Sequence, residues 1–439
     1  MKHKILITVI SFFFSQLNSQ ETLSLGDATK ITLENNLDIK IFENFEKISE
    51  NNASILNSGY LPKINARTDI IKSNQSVEIK TPSGVEGRLD NIESDSNSAN
   101  ISMNFVIVDG MGRKFNYRKS KELLNKSKLE VLEVIENTIF QLYTVYFEAC
   151  RLIEEQGIYL NNLNISKTRL DRKILEMEFG QSTSLELLNA EVDFKNDSIN
   201  YLQTISNLSN VKSDLNLIMN VDSDKTFELV TEIKFLSFDE LNIAYSKARE
   251  NNTSLKIDDK NVTISENEMK ASRSTYLPTI GLVGSYGWNE SINDNPYAFF
   301  NRNINEGLSG GINLSWDIFN SGRKIIANKN AKINYENSKI EKERRINAFF
   351  NELNNLYQTH TNNIYILDAQ EKNLETNQIN FERNLVQYNL GGLSSIQFRD
   401  AQLKLQRAKL QKNSAKYNTK LSEVALMKIS GQIITKSYK

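Results

Sequence analysis

The sequence predicts a mixed α and β membrane protein, built as a tandem repeat with four β-strands and long antiparallel coiled-coil helices. Three observations predict this class. All four prolines fall in two short windows, at 62–82 and 278–296, which leaves long segments free for helices. Those segments carry apolar residues at heptad spacing, and the stretches near the prolines alternate apolar with polar residues.

Composition argues against several classes of function. The formal net charge is -1, so the basic surface typical of nucleic-acid binding is missing and we expect no nucleic acid partner. The chain has one cysteine, Cys150, and two histidines, His3 and His360. We therefore expect no metal site, no nucleophile triad and no cofactor, and the glycine patterns lack the spacing of a phosphate-binding P-loop.

Residues 1–19 resemble a secretory signal peptide. Lys2 and Lys4 precede an apolar run from Ile5 to Leu17, and small and polar residues follow. The alternative is a buried N-terminal helix. Beyond residue 20 no stretch approaches the roughly 18 apolar residues of a membrane helix, so we expect any membrane contact to be made by strands.

Four sequence features occur twice, at offsets of 210 to 216 residues, which indicates two copies of one unit. They are SGYLPKI and STYLPTI, GRK at 112–114 and 322–324, LENNLDIKI and RENNTSLKI, and the glycine turns FGQSTSLELLNAE and LGGLSSIQFRDAQ. The first repeat, 20–220, is predicted to contain a helix, strands at about 62–73 and 99–109, a long helix at 113–179 and a return helix at 183–219. After a linker at 221–237, the second repeat, 238–439, is predicted to contain a helix, strands at about 278–289 and 306–319, a long helix at 323–390, a return helix at 394–429 and a C-terminal tail.

A heptad seam predicts the long helices. In the first repeat it steps by threes and fours from Leu132 to Met177, with two polar interruptions, and it continues in the second repeat from Phe350 to Tyr388. His360 lies on this seam, which favours a core or interhelical histidine over a ligand. A helix over 113–179 would be about 100 Å long at 1.5 Å per residue.

Glycines are predicted to end both long helices, at Gly180 in the first repeat and at Gly391 and Gly392 in the second. Serine or threonine follows each glycine turn and suits the N-cap of the next helix. Each repeat therefore contributes an antiparallel coiled-coil hairpin.

Tyrosine and proline mark each junction between helix and strand, as Tyr60 with Pro62 and as Tyr276 with Pro278. Proline ends a helix and tolerates the first position of a strand. The linkers 73–98 and 290–305, rich in Ser, Asn, Asp and Gly, are predicted to be surface loops. Three aromatic residues lie where the interfacial aromatics of a membrane barrel are expected: Tyr286, Trp288 and Trp316.

Two readings of the alternating strands stay open, because a sheet in water would alternate in the same way. If the strands face lipid, four of them cannot close a barrel, since about eight strands are the usual minimum. An open edge in lipid leaves backbone groups without hydrogen bonds. The membrane reading therefore requires several copies of the chain.

The twin Tyr-Leu-Pro junctions, the GRK motifs and the glycine turns, in this order, resemble the TolC family of bacterial outer-membrane efflux and secretion ducts. The resemblance covers the chain after residue 19. It implies a homotrimer with a twelve-stranded transmembrane β-barrel in outer-membrane lipid, a twelve-helix tunnel, and an equatorial belt formed near 218–238 and after about 425. It also implies docking of a periplasmic adaptor (membrane fusion protein) and an inner-membrane pump of the RND or ABC type.

The resemblance further implies that the glycine turns form a periplasmic entrance, held shut by acidic, tyrosine and arginine side chains. Carried over by position, these are Glu186 with the nearby Asn189 at the first turn, and Tyr388 and Asp400 at the second. Gln397 and Leu393 depart from the family pattern, where an aspartate and an arginine are common. From the residues alone, Glu186 and Asp400 fit solvated surface carboxylates equally well.

The function that these inferences predict is a passive exit duct, not an enzyme, which conducts substrates from a pump and adaptor to the outside. The alternative is a secreted or periplasmic coiled-coil scaffold or adaptor without a membrane barrel. It would explain the heptads and the signal segment, but not the alternating strands with their aromatic residues.

Overall fold

A computed structural model describes residues 21–434 except 81, 85 and 297. The predicted signal peptide at 1–19 and the last five residues of the predicted C-terminal tail lie outside the described residues. Among the described helices, none has the length and apolar content needed to cross a bilayer.

Helices occupy most of the described chain. They are α1 Leu25–Asn35, α2 Leu37–Asn52, α3 Gly112–Glu178, α4 Ser184–Met219, α5 Phe238–Asn251, α6 Thr253–Ser274, α7 Arg323–Asn389 and α8 Ser395–Ile429. The two long helices α3 and α7 correspond to the predicted ranges 113–179 and 323–390. Serine or threonine caps the helices that follow the glycine turns, because a side-chain oxygen accepts a hydrogen bond from an otherwise unpaired backbone N–H.

The strands form two sheets in the described part of the chain. They are β1 Glu21–Leu23, β2 Lys63–Lys80, β3 Glu86–Val108, β4 Phe227–Leu229, β5 Thr279–Asn293 and β6 Arg302–Ser315. Strands β1 and β4 pair in parallel, and the others form an antiparallel sheet in the order β2-β3-β5-β6. Pro62 and Pro278 each come directly before the first residue of a strand.

The prediction of surface loops at 73–98 and 290–305 is wrong over most of the first range and over half of the second. Strands β2 and β3 continue to pair there, with Ser73 opposite Ser94 and Lys80 opposite Glu86. Strand β2 ends at Lys80 and β3 begins at Glu86, and β5 ends at Asn293 and β6 begins at Arg302. The ladder is made by backbone groups, so a Ser- and Asn-rich stretch can extend it wherever its neighbour is already a strand. By contrast, the C-terminal end of β6 is shorter than predicted, because the strand ends at Ser315 and not at residue 319.

The structure divides into two compact units that do not follow the sequence repeats. One unit contains the described residues up to 40, 134–252 and those from 350 onward, and the other contains 41–133 and 253–349. Each unit draws on both repeats. In the second unit the reason is the pairing of β3 with β5, which joins strands of the two repeats in one sheet.

The first unit has the main apolar core. Tyr146 lies at its centre, and its hydroxyl is within hydrogen-bond distance of the carbonyls of Leu23 and Val230, at 2.9 and 3.0 Å, which ties α3 to the small parallel sheet. Buried residues around it come from α3, α4, β4 and α8: Ile139, Leu142, Ala149, Cys150, Leu215, Met219, Phe227, Tyr417 and Val424. The apolar seam of α3 therefore packs against the return helices of both repeats.

The second unit contains the four-stranded sheet, whose two faces differ. The register places Ile101 opposite Tyr286 and Leu282 opposite Ile312, so apolar side chains share one face. That face carries Ile64, Ala66, Ile101, Met103, Phe105, Ile280, Leu282, Tyr286, Trp288, Leu308, Ile312 and Leu314. The other face carries Ser, Asn and Gly, with Arg67 and Asp69 in an ion pair at 2.8 Å.

Arginine and lysine of the repeated GRK motifs anchor the helix starts beside the sheet. Arg113 donates to the carbonyls of Gly59 and Ile107 at 3.0 and 2.9 Å, and its guanidinium lies 5.0 Å from the ring centre of Tyr60. In the second copy, Lys324 pairs with Asp317 at 3.2 Å, and its carbonyl accepts a hydrogen bond from the hydroxyl of Tyr276 at 3.1 Å. The tyrosines of both junctions thus hold the first turn of the following long helix.

Candidate functional site

The two glycine turns, between α3 and α4 and between α7 and α8, have the same backbone design. Gly180 and Gly391 adopt φ values of +69° and +78°, in the left-handed region that side-chain-bearing residues rarely enter. The next residues close each helix end, because Gln181 donates to the carbonyl of Glu176 and Gly392 donates to the carbonyl of Gln387 at 2.9 Å. Both turns are exposed.

The helices after the turns begin at capping residues that differ in their partners. At the second turn Ser394 and Gln397 form a reciprocal capping box, in which the Gln397 side chain accepts from the Ser394 backbone N–H at 3.1 Å. At the first turn Thr183 caps α4 by accepting from the Glu186 backbone N–H at 3.3 Å. Gln397 therefore has a local role in starting α8, besides the entrance role that we predicted for it.

The first turn places Glu186 in a small polar cluster. Its carboxylate accepts from the Ser182 hydroxyl at 2.8 Å and from Lys173 Nζ at 3.3 Å, and these two contacts hold the pKa of Glu186 below its usual range. Lys173 also binds Glu176 at 2.7 Å. Asn189 lies exposed one turn further along α4. Glu186 is therefore engaged within its own hairpin.

The second turn places Asp400 in a different setting. Its side chain is 63% exposed, and it pairs with Lys404 one helical turn later at 2.7 Å. An exposed pair of this kind is weak in water, so the carboxylate stays free to face solvent or a partner.

Tyr388 does not share the exposed surface of Asp400. It is buried in a cluster with Phe381, Phe398 and Leu405, where its ring stacks on Phe398 with centroids 4.4 Å apart. The Arg172 guanidinium lies 5.2 Å from the same ring. The tyrosine thus joins the end of α7 to the start of α8 and to α3.

A buried charge network near these turns was missed by the sequence reasoning. Arg399 donates to both oxygens of Asp197, at 2.8 and 2.9 Å, and its Nε lies 3.4 Å from Asp193. Arg169 donates to Asp193 at 2.5 Å and is itself 4% exposed. The network therefore ties α3, α4 and α8 together. The available signal was the acidic pair at i and i+4 on α4, but its main partner lies 202 residues away in sequence.

The predicted interfacial aromatics lie in two places. Tyr286 and Trp288 share the apolar face of the sheet on β5. Trp316 follows the end of β6, and its indole N–H donates to the carbonyl of Tyr276 at 3.1 Å. It therefore belongs to the junction of helix and strand rather than to the sheet.

A family model described as outer membrane efflux protein matches residues 244–432. This range of the chain, which lies in the second repeat, is similar to the outer membrane efflux protein family. The matched range includes α6, the second hairpin of the sheet and the second glycine turn. This chain acts in the outer membrane, and it serves there as a duct for efflux.

Three solved outer membrane proteins share the fold of this chain at low sequence identity. The Campylobacter jejuni CmeC outer membrane channel is 16% identical, with 94% of this chain and 89% of that chain covered at a TM-score of 0.78. The Vibrio cholerae outer membrane protein VceC is 11% identical, with coverage of 93% and 96% and a TM-score of 0.77. The open state of the Neisseria gonorrhoeae MtrE outer membrane channel is 15% identical, with coverage of 94% and 90% and a TM-score of 0.73.

No curated protein matches the sequence. At these identities the solved structures establish the fold of the chain, which extends over both repeats.

Proposed function

We propose that the chain forms a homotrimer in outer-membrane lipid. Three four-stranded sheets would close a twelve-stranded barrel, and the coiled-coil hairpins would close a helical tunnel. The trimer would be the exit duct of a tripartite efflux or type I secretion system. It would passively conduct substrates received from an inner-membrane pump of the RND or ABC type through a periplasmic adaptor.

The four-stranded sheet carries this proposal. Its apolar face extends along β5 from Ile280 to Trp288, about 26 Å at 3.3 Å per residue, and a lipid-facing band is about 25 Å tall. Its outer strands β2 and β6 each pair on one side within the described chain, and β6 is exposed along its whole length. An unpaired edge is costly in hydrocarbon, so further copies of the sheet would be needed to satisfy it.

Exposed apolar stripes on the helices support the same assembly. On α7, Ile326, Ile333 and Ile340 recur every seven residues and are more than half exposed. A similar stripe on α4 consists of Leu185, Leu188, Val192, Ile199 and Leu202. Apolar stripes at heptad spacing are the contact surface of a coiled coil, and a second copy of the chain would cover them.

Lipid contact can be measured with the chain's two tryptophans. A Trp316→Phe variant leaves Trp288, on the apolar face, as the only tryptophan. In bilayers of brominated lipid we expect strong quenching of its fluorescence, and in detergent a mass of three chains. A soluble monomer recovered from the periplasm without detergent, with unquenched Trp288, would instead favour the periplasmic scaffold or adaptor.

We propose that Asp400, Gln397 and Asn189 face the periplasmic entrance, while Tyr388 and Glu186 hold the hairpins around it. Three copies of Asp400 around one axis would focus a negative potential that favours cations. The test is Asp400→Asn in planar bilayers, where we expect a lower cation selectivity than in the wild type.

Asp368 offers a matched control for this test. It is also 63% exposed and pairs with Lys372 at 2.6 Å in the same i,i+4 arrangement, but it lies far from the turn. Asp368→Asn should leave the selectivity unchanged. Equal effects of the two substitutions, or none, would refute the entrance role of Asp400 without affecting the duct itself.

A further inference from the structure

Helices α3 and α8 meet along a polar seam, with side-chain hydrogen bonds on either side of a gap. At one point Asn413 donates to the carbonyl of Arg151 at 2.9 Å. At the other, Gln402 donates to the carbonyl of Asn162 at 3.4 Å. Between these contacts the two helices do not fill the space between them.

An open cavity of about 480 Å³ occupies this gap. The volume falls within the range of about 300 to 1,000 Å³ that small-molecule sites span. Gly157 on α3 creates much of the room, because a Cβ built on it would meet no atom within 4 Å. Lys409, Lys412 and Asn413 of α8 line the cavity, with Asn161 of α3 and Leu374 of α7.

The charge around this cavity is positive. Glu154 lines it too, but Lys416 and the Tyr417 hydroxyl already engage its carboxylate, at 2.6 and 2.9 Å. Lys409 and Lys412 take part in no ion pair or hydrogen bond within the described chain. Two free ammonium groups beside a space of this size favour an anion.

The cavity lining also contains an acceptor that lacks a donor. Asn413 is 3% exposed, and its side-chain oxygen has no hydrogen-bond partner among the described residues. Buried polar atoms normally have a partner. A ligand for this site would therefore carry hydrogen-bond donors as well as negative charge.

We propose that the cavity binds the phosphate group of a small molecule, either free phosphate or a simple phosphate monoester. The negative oxygens would bind Lys409 and Lys412. Monohydrogen phosphate also carries a hydroxyl, and glycerol phosphate carries alcohol hydroxyls, which would donate to the side-chain oxygen of Asn413, whereas a sulfate ion has no such donor at neutral pH. A bound phosphate would close the seam and stabilise the packing of α3 on α8. This inference does not depend on the proposed duct function.

The test is calorimetric titration of the purified full-length protein in detergent with inorganic phosphate at pH 7 and constant ionic strength. We expect saturable binding of one phosphate per chain, with sulfate at least tenfold weaker. Glycerol phosphate as a second titrant shows whether the site also accepts an ester. Binding of glycerol phosphate but not of free phosphate would still support the phosphate site and would identify its source.

Three variants distinguish this site from unspecific binding. Lys409→Met and Lys412→Met remove the charges, and Gly157→Leu fills the space, so each should weaken phosphate binding at least tenfold. Lys167→Met removes an exposed charge elsewhere on α3 and should leave binding unchanged. Circular dichroism checks that each variant is folded.

The proposal fails if neither phosphate ligand saturates the protein, or if sulfate binds as tightly as phosphate. It also fails if a folded Gly157→Leu variant binds like the wild type, or if Lys167→Met loses as much affinity as the two cavity lysines.

Discussion

Tyr388 and Phe398 stack face to face across the second glycine turn, with ring centroids 4.4 Å apart and planes inclined by 10°. The contact joins the last turn of α7 to the first turn of α8, so the turn is held by side chains as well as by its glycines. Phe398 is 2% exposed. The Tyr388 hydroxyl is also buried, but it has no hydrogen-bond partner among the described residues.

This stack predicts opposite results for two substitutions. Phe398→Ala should lower the free energy of unfolding by about 3 to 5 kcal/mol, because it empties a buried aromatic site. Tyr388→Phe keeps the ring and removes an unpaired buried hydroxyl, so it should be neutral or stabilising by about 1 kcal/mol. Denaturant unfolding in detergent, followed by circular dichroism, measures both. A loss of stability in Tyr388→Phe close to that in Phe398→Ala would show that the hydroxyl has a partner.

The buried pair of Arg399 and Asp197 predicts a strong non-additive effect. Arg399→Met leaves Asp197 buried without its partner and should cost about 3 to 5 kcal/mol of unfolding free energy. The double variant with Asp197→Leu should recover most of this loss, since Asp193 keeps its contact with Arg169.

The control for the buried pair is the exposed pair of Asp368 and Lys372, where Asp368→Ala should change the unfolding midpoint little. Additive losses in the Arg399 and Asp197 double variant would contradict a coupled pair.

Replacing glycine by alanine should change the free energy of unfolding in opposite directions at three positions. Gly180→Ala and Gly391→Ala place a side chain at positive φ and should each cost about 1 to 2 kcal/mol. Gly157→Ala lies inside α3 with open space at its Cβ position, so it should gain up to about 1 kcal/mol from helix propensity. The same denaturant assay compares them. A destabilised Gly157→Ala variant would mean that the gap beside α3 needs the glycine.

His360 predicts a pH dependence of stability. The ring is 4% exposed, and its Nδ1 lies 2.9 Å from the Ser422 hydroxyl of α8. Burial lowers the pKa of His360 below its ordinary value of 6.5. Nearby Glu423 raises this pKa and Lys420 lowers it, but burial has the largest effect. The unfolded chain then takes up the proton more readily than the folded chain. Stability from the neutral ring is complete above pH 6.5 and is lost as the pH falls below that value.

The measurement compares the denaturant midpoint at pH 7.5 and pH 5.5 in the wild type and in His360→Gln. We expect a smaller drop in the variant, because its side chain does not titrate and the carboxylates are shared by both proteins. Equal drops would show that His360 is not the group responsible.

Local sequence signals predicted much of the fold. The heptad seam and the glycine turns indicated the long helices and their hairpins, because apolar spacing and left-handed glycines act within a few residues. The proline positions indicated the starts of β2 and β5 for the same reason. Local signals could not predict the length of the strands. The Ser- and Asn-rich linker at 73–98 becomes strand only because it pairs with its neighbours.

The candidate site divides in the same way. The sequence was enough to locate the turn glycines and the exposed Asp400, because turns and helix starts have sequence signals within a few residues. These glycines are Gly180, Gly391 and Gly392. Tertiary packing alone decided that Tyr388 is buried on Phe398, that Glu186 binds Ser182 and Lys173, and that Arg399 meets Asp197. Those contacts join residues on different helices, and a buried charge becomes stable only when the fold supplies its counter-charge.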